Sequence, residues 1–222
     1  AVECEPYLTA DYKNIEENLS LLKTGTLALF KLSKAKKGCI AIKEDKKKQI
    51  EDLKKTFEGT PIEIRTVPNI YPMGWERTLV YELTGKRYNM LPIEAGMILN
   101  NASTAIALGN AIDNGMPITH KYVTVSGDAL KDPKNVYVPV GTKAHEIIEA
   151  VGGYKDGVDN VLLIAGGPMM GRTIPNDAFV IAPQNNGLTV LINKEEDEVA
   201  CLRCGRCTTT CPSGLQPVRI AA

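Results

Sequence analysis

"GCIAIKEDKKKQIEDLKKTFEGTPIEIRTVP" (residues 38–68) decides how the first half of this chain folds. Its opening, Gly38 to Glu44, is a short apolar run after a glycine, the pattern of a buried strand. Ile50, Leu53 and Phe57 then recur at helical spacing within residues 45–59, and Gly59 stops the helix. "PIEIRTVP" (61–68) alternates as a second strand does. Strand, helix and strand at these lengths predict a right-handed crossover and a parallel sheet. The lysines between them read as the wet face of the helix, not as an anion site.

Working outward, Ile15, Leu19, Leu22, Leu27, Phe30 and Leu32 give residues 11–35 a helical period. Thr24-Gly25-Thr26 is expected to kink or divide that helix. "TLVYELTG" (78–85) and "ASTAIALGNAIDNG" (102–115) are further helices, so the first half is α/β. The texture changes near Pro117. "HKYVTVSGD" (120–128) and "KNVYVPVG" (134–141) are strands, "TKAHEIIEAVGG" (142–153) is a helix, and "NVLLIAGGPMMG" (160–171) is a strand running into a glycine-rich loop. Strand pair, helix and strand are the order of a small β-grasp-like module. "AFVIA" (178–182) and "GLTVLIN" (187–193) add two strands before a polar linker, 194–200.

The length suggests one large domain or two modest ones, with enough chain to bury a core. Lys+Arg and Asp+Glu both number 26, a balance that argues against a protein built for nucleic acid. No apolar run approaches the ~18–20 residues that span a bilayer. The start carries no secretory signal pattern and no Met, and the chain is expected to be a piece of a longer protein.

Cys201, Cys204, Cys207 and Cys211 form a C-x2-C-x2-C-x3-C-P run, while Cys4 and Cys39 stand alone. One tight cluster in a lysine-rich chain points to a metal site in a reducing compartment, not to a disulfide framework. Short gaps let thiolates wrap one compact cluster, and the proline turns the chain away. Zinc prefers two separated knuckles on a tetrahedron, so iron–sulfur is the favoured ligand and zinc the alternative. In two-cluster ferredoxins the fourth cysteine of such a run serves the other cluster. One or two 4Fe–4S centres therefore remain open.

Other stretches carry two readings each. Glu3, Cys4, Glu5 and Asp11 are either solvated carboxylates at a strand end or a cluster at the mouth of a parallel sheet, where ligands bind. Gly74, between Tyr71 and Glu76, either lets a flat ligand approach the backbone or sits in a turn packed by Tyr71 and Trp75. Asn100 and Asn101 end a strand and either cap the next helix or meet a phosphate or ring edge, with Thr104 beside them. His120 and His145 read as structural or exposed. The 165–171 loop lacks the Lys-Ser/Thr of a phosphate-binding P-loop and reads as structural.

"AVECEPYLTADY", "NIYPMGWERT", "LNNAST", "VTVSGD", "AGGPMMG" and "CLRCGRCTTTCPSGLQP" stand here in an order that resembles the RnfC family of the Rnf electron-transport complex. Its relatives include the proline-reductase-associated electron-transfer protein and the cobalamin reductase of the propanediol pathway. The family is similar to the flavin- and NADH-binding subunit of respiratory complex I. The resemblance implies a Rossmann-like parallel-sheet domain (1–116), a β-grasp ligand-binding (SLBB) domain (117–172), return strands and linker (173–199), and the start of a ferredoxin-type segment (200–222).

It further implies that Glu3, Cys4 and Glu5 line the flavin and nicotinamide pocket. Tyr71, Gly74 and Glu76 would close over the isoalloxazine ring, and Asn100, Asn101 and Thr104 would lie near the flavin phosphate and ribityl chain. The activity implied is electron transfer from NADH through FMN to 4Fe–4S clusters. The partner is an electron acceptor, a reductase or a membrane complex, met from the cytoplasm and peripherally. No residue is assigned as a catalytic acid or base. Two departures matter: the family's glycine-rich loop, expected before "VECEP", is absent from these residues, and Trp75 stands where relatives carry an acid or glycine. The first favours an alternative, a flavin-free iron–sulfur relay and docking module, and the second would alter nicotinamide stacking.

Overall fold

The computed structural model describes residues 1–194, 199–211 and 213–221, so part of the polar linker and the proline after Cys211 lie outside the described residues. The first lobe opens with two helices, α1 (Ala10–Glu17) and α2 (Leu19–Ser33). Strand β1 (Gly38–Lys43), helix α3 (Lys47–Thr56) and strand β2 (Ile62–Val67) follow as the sequence pattern predicts. β1 and β2 pair in parallel, Gly38 opposite Ile62 through Lys43 opposite Val67. Helix α4 (Glu76–Thr84), a 3-10 turn (Pro92–Ala95) and helix α5 (Ala102–Asn114) complete the lobe.

Gly25 is not where the helix breaks. The break falls at Asn18, and α2 runs unbroken through residues 24–26. The reason is tertiary: α2 and α5 cross with their backbones almost in contact. A β-carbon on Gly25 would overlap the Ala105 carbonyl, and one on Gly109 would overlap the Leu21 carbonyl. Two glycines thus let two helices approach where any side chain would hold them apart. Ile15, Leu22, Ile42, Leu53 and Ile106 pack beneath the crossing.

The second lobe is a five-stranded sheet of order β4-β3-β7-β5-β6. Its strands are β3 (His120–Ser126), β4 (Lys134–Pro139), β5 (Val161–Ala165), β6 (Arg172–Ile174) and β7 (Gly187–Ile192), with α6 (Ala144–Ala150) laid against it. β3 and β7 are parallel, and the remaining pairs are antiparallel. β7, bonded on both edges, buries Leu188, Thr189 and Val190 completely.

The stretch 178–182 is apolar but is not a strand. A carbonyl within it and one just before it cap α6: Ala144 N donates to Phe179 O at 2.8 Å and His145 N to Asp177 O at 2.9 Å. A helix start needs such acceptors for its free amides, and this segment supplies them. Nor does a strand precede "LNNAST", since residues 97–101 are irregular. At the C-terminal side, α7 (Arg206–Thr210) and α8 (Pro217–Ile220) are short. Among the described residues no helix is long and apolar enough to cross a membrane.

Candidate functional site

Residues 2–9 run along the seam between the lobes. Leu8 is buried against Gly187, where a β-carbon would overlap its side chain. Thr9 N donates to Thr124 Oγ1 at 2.9 Å, and Asn135 Nδ2 donates to Thr9 Oγ1 at 2.9 Å. Asn186 Nδ2 reaches Glu3 Oε2 at 3.4 Å. These bonds hold the segment to the second lobe, and from the first lobe Tyr12 Oη donates to Glu3 O at 3.3 Å.

Glu3, Cys4, Glu5, Tyr71 and Gly74 come together here. Gly74 packs so closely on residues 2–4 that a β-carbon would overlap the Val2 carbonyl and lie 3.0 Å from Cys4 Sγ. Burial pushes the Glu3 carboxyl above its ordinary range, and the neighbouring Asp11 and Glu5 add to the rise while the Glu5 amide opposes it. Burial likewise raises the Cys4 thiol, with the Gly74 amide acting against it. Tyr71 is raised by burial and by the nearby Glu5 and Cys4.

Asn101 and Thr104 belong to a second grouping. Asn101 Oδ1 accepts from Ser103 N at 2.7 Å and so caps α5, while its Nδ2 donates to Asp11 Oδ2 at 2.8 Å. Ser103 Oγ donates to the other Asp11 oxygen at 2.7 Å and accepts from Asn14 Nδ2 at 2.9 Å. Asp11 is buried on α1 with both oxygens occupied. This network lines a cavity of about 490 Å³ between α1 and α5 on one side and residues 117–122 and 183–186 on the other. Among the described residues Lys121 is the only lysine or arginine lining it, and burial lowers its ammonium.

Asn100 and Glu76 are not drawn into either grouping. Asn100 is exposed, and Glu76 opens α4 and accepts from Tyr88 Oη at 3.0 Å. Ser103 and Lys121 join the site without having been singled out from sequence, whereas Asp11, read there as part of the acidic cluster with Glu3 and Glu5, is found at the start of α5 instead.

Cys201, Cys204 and Cys207 are exposed and Cys211 is half-buried, all as free thiols. Arg203 N and Leu215 N lie 3.4 Å from Cys201 Sγ and Cys211 Sγ. Among the described residues no three His, Cys, Asp or Glu side chains are gathered in a group able to hold a metal ion.

Residues 1–110 match the family model for the Nuo51 FMN-binding domain, and residues 122–173 match the SLBB domain. The C subunit of the proton-translocating ferredoxin:NAD(+) oxidoreductase complex of Clostridium ljungdahlii is 38% identical over 97% of this chain and 48% of its own length. The chain belongs to the RnfC family. The C subunit of the ion-translocating oxidoreductase complex of Rhodobacter capsulatus is 36% identical over 99% of the chain and 43% of its own length. Its counterpart in the Na(+)-translocating ferredoxin:NAD(+) oxidoreductase complex of Acetobacterium woodii is 32% identical, with shares of 99% and 50%. The chain thus spans about half the length of the RnfC relatives it matches. The FMN-domain match takes in the acidic segment, the 70–76 turn and the start of α5, and the SLBB match covers most of the second lobe.

Proposed function

We propose that this chain is the electron-entry part of an RnfC-type protein, which passes electrons from NADH by way of FMN to iron–sulfur centres and on to a partner protein of an ion-translocating complex. One observation carries it: within the stretch matching an FMN-binding domain, Glu3, Cys4, Glu5, Tyr71 and Gly74 meet at one place on the seam. In this proposal residues 1–116 form the flavin- and NADH-binding unit and 117–172 the SLBB unit. Residues 173–199 are return strands and linker, and 200–222 begin a ferredoxin-type segment.

The residues present fit FMN in part. Asn18 and Thr104 line the cavity with polar atoms of the kind a hydroxyl-rich chain needs, while Asn14 and Asn101 are bonded into the Asp11 network. Glu3, Glu5, Tyr71 and Gly74 offer a close backbone and carboxylates for a ring edge. A phosphate fits less well at the start of α5, where Asp11 and the Asn101 cap already occupy the local donors. When bound, flavin supplies the exchange between hydride and single-electron chemistry. Gly74 and Tyr71 would orient the ring, with the Glu3 carboxyl beside them. The thiols of Cys201, Cys204, Cys207 and Cys211 are the donor set of a 4Fe–4S centre, with Cys211 able to serve a second cluster in a longer protein.

The second reading, a flavin-free iron–sulfur relay and docking module, is favoured by the same shortage of phosphate donors. An anaerobic visible spectrum after iron–sulfide reconstitution with FMN, before and after NADH, separates the two. A broad band that NADH bleaches supports the flavin circuit. Bleaching by dithionite alone supports the relay, and zinc bound without visible bands overturns both. In any complex, attachment to a membrane is expected to be peripheral and through partner proteins.

A further inference from the structure

The loop Gly166–Gly171 joins β5 to β6 and is tied to β7 by its own bonds. Gly166 N donates to Gly187 O at 2.7 Å, Thr189 Oγ1 donates to Gly166 O at 2.7 Å, and Gly171 N closes the loop on Gly167 O at 2.8 Å. Gly166 takes φ +108°, a conformation open to glycine and rarely to other residues. So built, the loop turns two successive amides to the same point. Met169 N and Met170 N both donate to Glu5 Oε1, at 2.6 and 2.9 Å. The carboxylate lies over Gly167, where a β-carbon would overlap Glu5 Cγ and stand 2.5 Å from Oε1.

Adjacent backbone amides converging on one oxygen form an anion-binding concavity. Its ligand here comes from 164 residues away, in the other lobe. We propose that the 166–171 loop is a carboxylate-binding site, that Glu5 is its ligand, and that this intrachain latch positions the acidic segment 3–5 against the SLBB lobe. Glu5 acts on the seam as a positioning residue, independently of any part it takes toward a cofactor. Removing it leaves two amides aimed at an open, glycine-floored seat that a small free carboxylate fits. The latch needs no bound flavin or cluster, so its test stands apart from the electron-transfer proposal.

Amide NMR on the 222-residue chain, without cofactors, provides the test. The Met169 and Met170 amide signals are expected to stand at different positions in the natural and Glu5→Ala chains, and to move together. Glu5→Ala speeds hydrogen exchange at both amides by about tenfold or more, the scale of a charge-assisted bond lost. Amides of β3 and β7 keep their protection, because the loop's own bonds to β7 remain. Sodium acetate added to the Glu5→Ala chain moves the two amide signals back, with saturation, and leaves them unmoved in the natural chain. Gly167→Ala expels Glu5 and reproduces the fast exchange. Unchanged exchange in Glu5→Ala, or no saturable acetate effect, would overturn the latch.

Discussion

The two lobes of this chain are held together by different means. In the SLBB lobe the central strand β7 is bonded on both edges, and Val123, Val125, Leu130, Ile147, Leu188 and Val190 are sealed around it. In the N-terminal lobe the sheet has only two strands among the described residues, and the helices α2 and α5 meet backbone to backbone at Gly25 and Gly109. Leu19, Leu27, Leu29 and Phe30 around that crossing are only partly buried. One lobe is closed around a strand bonded on both edges. The other adds to its own buried core of Ile15, Leu22, Ile42 and Leu53 a close helix approach and the seam segment that ties it to its neighbour. A ligand-facing surface is better placed on the second kind of scaffold, because its polar groups can be held without a continuous apolar shell.

Four substitutions sharpen this contrast. Leu188→Ala should be the most costly, at about 3 kcal/mol, since a fully buried leucine leaves a cavity that the sheet cannot close. Urea unfolding measures the loss, and faster amide exchange should be concentrated in β3, β5 and β7. Gly25→Ala should cost about 2 kcal/mol, because the added methyl group forces α2 off α5 despite its better helix propensity. Here the exchange should quicken in α2 and α5 instead. If each variant loosens both lobes equally, the division into two kinds of core is wrong.

Asp11→Ala comes next, at about 1.5 kcal/mol, because it strips the acceptor from Asn101 Nδ2 and Ser103 Oγ. A thermal melt gives the size of the effect. An α5 start as protected as in the natural chain would show that Asn101 alone suffices as the cap. The smallest effect is expected from Glu3→Gln. The carboxyl of Glu3 is raised by burial, so its contribution to folding is present at low pH and is lost as pH rises through the carboxylate range. Glu3→Gln should therefore flatten the stability profile between pH ~4 and ~7 and be the more stable chain at neutral pH. Urea midpoints at the two ends decide it, and parallel profiles for both chains would remove Glu3 from the pH response.

The parts of the fold legible in sequence are those whose cause is local. Ile50, Leu53 and Phe57 show a helical period because one face of α3 meets the sheet, and β1 and β2 read as strands on either side of it. Asn101 before a helical run is a cap by chemistry that acts over two residues. The resemblance singled out Glu3, Cys4, Glu5 and Gly74, which the structure brings together, and spacing singled out the cysteine run, which forms no gathered metal-binding group among the described residues. Gly25 misleads because propensity marks it as a breaker, whereas its lack of a side chain serves a helix far along the chain. Residues 178–182 mislead because an apolar segment can lend its carbonyls to a helix start as readily as to a neighbouring strand.

By itself, then, the sequence determined the α/β first half, the β-rich second half and the candidate metal donors, since periodicity, capping and ligand spacing act over a few residues. Tertiary structure alone decided that Glu5 seats on Met169 and Met170, that Asp11 satisfies the start of α5, and that Glu76 stays apart. These depend on which backbone groups are left with a free donor once the lobes have packed. That is a property of long-range geometry, because hydrogen-bond reach is about 3 Å while the residues it joins lie anywhere along the chain.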